Sequence, residues 1–142
     1  MTWLKRGFSF LIFITLIFIM GSQVCAQARG SDYVKGYSVS AKEGIYRGEI
    51  DIVCNIAAKS PVQKIGVLKI EIYQSDGQRV TTIHGTTSNG LLSSKSNLIH
   101  IVTYTYKGTP GMSYYAKVTL CAGSASDYDT RVVRTQTVQA PK

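Results

Sequence analysis

The sequence predicts an all-β sandwich of about seven antiparallel strands, and three observations carry that expectation. Runs of β-branched and aromatic residues recur every 8–12 residues or so with Gly, Pro, Asn, Asp or Ser between them, the spacing of strands and turns in such folds. Within several of those runs apolar and polar residues alternate with period two, the signature of a strand with one buried face. No stretch after residue 26 shows the 3.6-residue apolar period of a helix.

The first 26 residues stand apart. Lys5 and Arg6 precede an uncharged apolar run from Phe8 to Met20, and Gly-Ser-Gln-Val-Cys-Ala-Gln-Ala follows. A basic start, an apolar centre and small residues at the cut make a secretory signal peptide, with cleavage after Ala26 or Ala28. The apolar run is shorter than the ~20 residues a spanning helix needs, so no stable membrane span is expected after its removal. Lipid attachment at Cys25 is the rival reading, but Ser22-Gln23-Val24 lacks the Leu and the small final residue usual before a lipidated cysteine. Residues 27–142 then form one domain at the cell exterior, preceded in the precursor by the signal-peptide helix.

The strands read in order as follows. Tyr37 to Lys42 alternates and is followed by Glu43-Gly44. Gly48 to Ala57 places Ile50, Ile52, Cys54 and Ile56 on one face, and Lys59-Ser60-Pro61 is expected to end it. Lys64 to Tyr73 puts Leu68, Ile70 and Ile72 on one side, with Gly66 a candidate bulge. Asp76-Gly77 signals a hairpin in which both residues can take positive φ, and Arg79 to His84 returns. Gly85 to Ser96, rich in Ser, Thr, Gly and Asn, reads as a long mobile loop, with Leu91 and Leu92 the candidates to pin it down. Leu98 to Tyr106, a Lys107–Met112 corner, Ser113 to Cys121 and Thr130 to Val138 complete the chain.

Removal of the signal would leave two cysteines, Cys54 and Cys121, an even count in an oxidising compartment, and a disulfide between them is the expectation. Strand parity opposes it. If Tyr114, Ala116, Val118 and Leu120 face the core, Cys121 faces out while Cys54 faces in, so the bond needs a bulge near Thr119 to Cys121, or a strand that ends at Leu120 with Ala122-Gly123 turning the chain.

Pro110-Gly111-Met112-Ser113-Tyr114, with Ala116, Val118 and Leu120 after it, resembles the corner and sixth strand of fibronectin type III and related immunoglobulin-like domains. The resemblance implies an immunoglobulin-like sandwich in which Pro110 and Gly111 shape the corner and the Tyr114 hydroxyl bonds back to its backbone. In general texture residues 27–142 resemble the small secreted all-β proteins of Gram-positive bacteria.

The formal net charge is +8, or +6 once Lys5 and Arg6 leave, but the basic residues are scattered singly, which argues against a dedicated nucleic-acid stripe. His84 and His100 lack further ligands at metal-binding spacing, and no Gly-x-Ser-x-Gly elbow or paired-carboxylate signal is present. Asp127 and Asp129 are too few for a calcium loop. Neither enzyme activity, metal nor cofactor is therefore expected. The nine tyrosines offer broad faces with polar tips, and Tyr104, Tyr106 and Tyr115 are the candidate surface for an unknown protein or a cell-wall glycan. The expected function is a secreted, non-catalytic binding or structural module acting at the cell exterior, with a secreted effector, a small toxin or an enzyme inhibitor, as the alternative.

Overall fold

A computed structural model describes residues 32–142; the expected signal peptide and Cys25 lie outside the described residues. The described residues form a β-sandwich of eight strands: β1 Val34–Glu43, β2 Glu49–Val62, β3 Lys64–Gln74, β4 Arg79–His84, β5 Asn97–Lys107, β6 Ser113–Gly123, β7 Tyr128–Arg134 and β8 Val138–Gln139. Strands β1-β2-β5 form one sheet. The other runs β4-β3-β6-β7, with β8 also paired to β6, and every pairing is antiparallel.

The core lies between the sheets and is filled by alternate residues of the central strands. Ile50, Ile52, Cys54 and Ile56 of β2 meet Ile65, Val67, Ile70 and Ile72 of β3 and Tyr114, Ala116, Val118 and Leu120 of β6, all essentially buried. Burying each Ile or Leu side chain contributes about 1.5–3 kcal/mol, so these positions dominate the stability of the domain.

Several local features differ from expectation. Strand β2 does not stop at Pro61. It continues to Val62, its ladder to β5 breaking between Ala57 and Val62, and the proline sits in that irregularity, where no ladder bond is required of it. One residue, Gln63, then carries the chain into β3 and the opposite sheet. The β3 bulge lies at Leu68, between Val67 and Lys69, rather than at Gly66. It resets the phase, so that Ile65 and Val67 before it and Ile70 and Ile72 after it all face inward. In the Asp76-Gly77 turn only Gly77 has positive φ (92°), and its N–H donates to Gln74 O while Gln74 N–H donates to Gln78 O. The hairpin therefore closes through a turn followed by a left-handed glycine, not two left-handed residues.

The last strand is split because Thr135 takes over part of the ladder. Its N–H donates to Ala116 O, its Oγ1 accepts from Ala116 N–H at 2.9 Å, and the same hydroxyl donates to Gln136 O. Gln136 then reaches across to donate to Ala41 O of β1, tying the sheets together along that seam.

The 85–96 segment is built rather than open. Leu91 is 1% exposed and belongs to the core cluster. Val67 N–H donates to Leu91 O at 2.7 Å and Ser93 N–H to Ile65 O at 2.9 Å, so the segment extends the sheet along the part of β3 that β4 does not reach. Asn89 fixes its shape: Oδ1 accepts from Thr86 N–H and Leu91 N–H, and Nδ2 donates to His84 O at 2.8 Å.

Cys54 and Cys121 are free thiols, which overturns the expected disulfide. Strand β6 keeps strict alternation against both neighbours through Cys121, so no bulge turns the thiol inward. Cys54 lies between the sheets, opposite Val39 and Val102, whereas Cys121 lies on the far face of the other sheet, opposite Gly66 and Thr130. Burial pushes the Cys54 thiol up to about 12 and the Cys121 thiol up to about 11, the latter against the opposing pull of Lys64 and a Gly66 backbone hydrogen bond. Native protein should accordingly resist alkylation near neutral pH and take up two equivalents at residues 54 and 121 once denatured without reductant; none at those residues would restore the disulfide. The thiols' ordinary value is 9.0. The unfolded chain therefore loses these protons first, and the stability they confer is complete below about pH 9 and declines as pH rises toward 11–12, by at most about 1.4 kcal/mol per pH unit per thiol.

Candidate ligand-binding face

The residues expected to form a partner surface do not share one. Parity on β5 is set by its pairing with β2: Tyr104 stands opposite Ile52 and Tyr106 opposite Ile50, so both turn inward. They pack half-buried against the core, Tyr106 edge-on to Tyr114 at 5.4 Å between ring centres. Burial raises the Tyr106 hydroxyl above its ordinary value. Tyr115 does point away from the core, but it is only 7% exposed. It lies stacked on Tyr73, its ladder partner, with centroids 5.1 Å apart and planes 5° from parallel, and the Arg134 guanidinium covers it at 4.0 Å.

The corner residues are found together. Tyr114 is 2% exposed and its hydroxyl accepts from Thr109 N–H at 2.8 Å. Gly111 takes φ 80° and its N–H donates to Ala140 O, while Pro110 packs beside Gly48. Sequence reading overlooked Gly108, where a Cβ would lie 2.7 Å from the Tyr114 ring: the ring lies directly against the glycine backbone. Tyr114→Phe should cost about 1 kcal/mol or more, because Thr109 N–H loses its partner, whereas Tyr115→Phe keeps its stack and should leave the unfolding midpoint nearly unchanged. Equal shifts would remove the hydroxyl bond from the corner's stability.

The acidic loop faces inward on its own neighbourhood. Asp129 accepts from Tyr33 N–H at 2.8 Å and Asp127 from Tyr33 OH at 3.3 Å, and the Asp127 carboxylate holds that phenol above its ordinary range. His100 Nε2 is 2.9 Å from Gly90 O. Among the described residues no group of three His, Cys, Asp or Glu is placed to hold a metal.

What the fold does assemble is a cationic face on the outside of the five-stranded sheet. Residues that alternate outward meet in rows fixed by the ladders: Lys64 beside Gly123 and Tyr128; His84, Lys69, Thr119 and Val132; Thr82, Glu71, Lys117 and Arg134; Arg79, Tyr73 and Tyr115. Five permanent cations share this face with one carboxylate, Glu71, which lies 3.4 Å from both Lys69 Nζ and Arg79 Nη1. The remaining cations rest on rings: Lys64 Nζ is 3.8 Å from the Tyr128 centroid, Lys117 Nζ 5.0 Å from Tyr73, and Arg134 lies over Tyr115. Each such contact contributes about 0.5–1 kcal/mol and holds a long side chain in place over the sheet. The outer face of the three-stranded sheet is balanced instead, Lys42 opposite Asp51 and Lys107 opposite Glu49.

No protein-family model matches the chain, and no curated protein matches it. Among solved structures, it is similar to a family 76 glycoside hydrolase from a bovine Bacteroides thetaiotaomicron strain, at 17% identity and a TM-score of 0.41, over 75% of this chain and 20% of that one. The chain thus spans about a fifth of that enzyme's length, and a likeness this distant bears on neither fold nor activity.

Proposed function

We propose that this protein is a secreted, non-catalytic binding module that acts at the cell exterior through the outer face of its five-stranded sheet. The observation that carries the reading is the ordered cationic layer on that face. The core does not require it, yet rings and a single carboxylate hold its side chains in fixed positions. The signal-like amino terminus supports export, and a rigid surface of fixed charge suits recognition of a partner more than chemistry on one.

The test is retention: purified protein, residues 27–142, incubated with cell-envelope fractions and with concentrated culture supernatant, then recovered by sedimentation or capture. Saturable retention on an envelope fraction supports the module. Absence of retention, together with growth inhibition of a neighbouring strain by the free protein, would favour the secreted effector instead.

A further inference from the structure

Resting on that reading, we propose that the face centred on Lys117 and Arg134 binds an acidic polysaccharide. These two residues stand directly opposite each other across β6 and β7. Like charges in that relation repel, and among the described residues neither has a carboxylate within ion-pairing distance, Glu71 being held by Lys69 and Arg79. An anionic group seated between them would relieve the repulsion and accept charge-assisted hydrogen bonds from both. Lys69, Arg79 and Lys64 continue the positive field along the sheet, so a chain bearing many anionic groups meets several cations at once.

The same face is poorly suited to other polyanions. Bases need bare rings on which to stack, but Tyr73 and Tyr115 face each other and their remaining faces lie beneath Lys117 and Arg134. Among the described residues no helix stands on this face to enter a duplex major groove. An anionic membrane would call for apolar residues that insert at the interface, and Val132 is the one strongly exposed aliphatic residue in these rows. A flexible carboxylated glycan lying flat across the strands needs neither stacking nor insertion.

Calorimetric titration of the protein with polygalacturonate tests this, with pullulan as the neutral glycan and a short DNA duplex and phosphatidylglycerol vesicles as the other anionic probes. Expected are saturable binding to polygalacturonate that weakens as salt rises, none to pullulan, and weaker binding to duplex and vesicles. The Lys117→Gln/Arg134→Gln pair should lose about tenfold or more in affinity, while Lys42→Gln/Lys107→Gln on the opposite sheet binds as the parent does. Should the first pair fail to melt cooperatively, Lys117→Gln alone and the charge-conserving Arg134→Lys replace it, the first weakening binding and the second retaining it. No saturable binding, tighter binding to duplex or vesicles, or equal losses from the two sheets would overturn the proposal. Retention on cell envelope without affinity for polygalacturonate overturns the acidic glycan alone; loss of both overturns the module as well.

Discussion

Leu91→Ala should lower the unfolding free energy by about 2–5 kcal/mol, as much as truncating an aliphatic residue in a central strand. Denaturant titration would show it as a lower midpoint at unchanged slope. A leucine in a mobile surface loop would cost no more than about 0.5 kcal/mol, and a shift that small would mean that the 85–96 segment is not seated as described. The large figure follows from where the side chain lies: Leu91 is in the core cluster, and its carbonyl accepts from Val67 N–H. Truncation thus opens a cavity beneath a segment that β3 and Asn89 hold rigidly, which leaves little room for collapse.

Gly85→Ala should be more severe, beyond the 4–5 kcal/mol or so that marks exceptional substitutions, and soluble protein should fail to accumulate. A Cβ at this position would lie 1.7 Å from Val67 O and 2.8 Å from Val67 C. Both are backbone atoms of the β3 bulge, and Gly85 N–H donates to Leu68 O at 2.7 Å, so the glycine backbone is drawn against the strand by its own hydrogen bond. Neither partner can move without breaking the β3–β6 ladder. Gly36→Ala is the matched control. Its Cβ meets nothing within 4 Å, and the same methyl should be neutral or stabilising by about 0.4–1 kcal/mol. Comparable expression and midpoint for the two variants would refute the close approach.

The two results probe the region where local reading was least informative. Gly85 to Ser96 has the composition of a solvated loop, and nothing local to Leu91 distinguishes a core leucine from an exposed one. Its partners, Ile65 and Val67, lie more than twenty positions earlier, and only their meeting gives the segment its place. The bulge at Leu68 is of the same kind. It exists because β3 must present Val67 and Ile70 to one core while pairing with β6, a demand made by the partner strand.

Period-two alternation by itself determined the class of fold, the inward set Ile50, Ile52, Cys54 and Ile56, the β6 face of Tyr114, Ala116, Val118 and Leu120, and with it the outward turn of Cys121. These follow from the pleat, which sends successive side chains to opposite faces whatever the neighbours are. Tertiary structure alone decided the rest. On β5 both faces carry apolar residues, Ile99 and Ile101 on one and Val102, Tyr104 and Tyr106 on the other, so alternation cannot choose; pairing with β2 turned the tyrosines inward. Lys64, Lys69, Arg79, Lys117 and Arg134 are isolated in sequence and form a charged face only because antiparallel registers between β4, β3, β6 and β7 set them side by side. The two cysteines, compatible by count, are kept apart because a sheet lies between the thiols: which strand neighbours which is fixed by burial summed over the whole core, and no local signal records it.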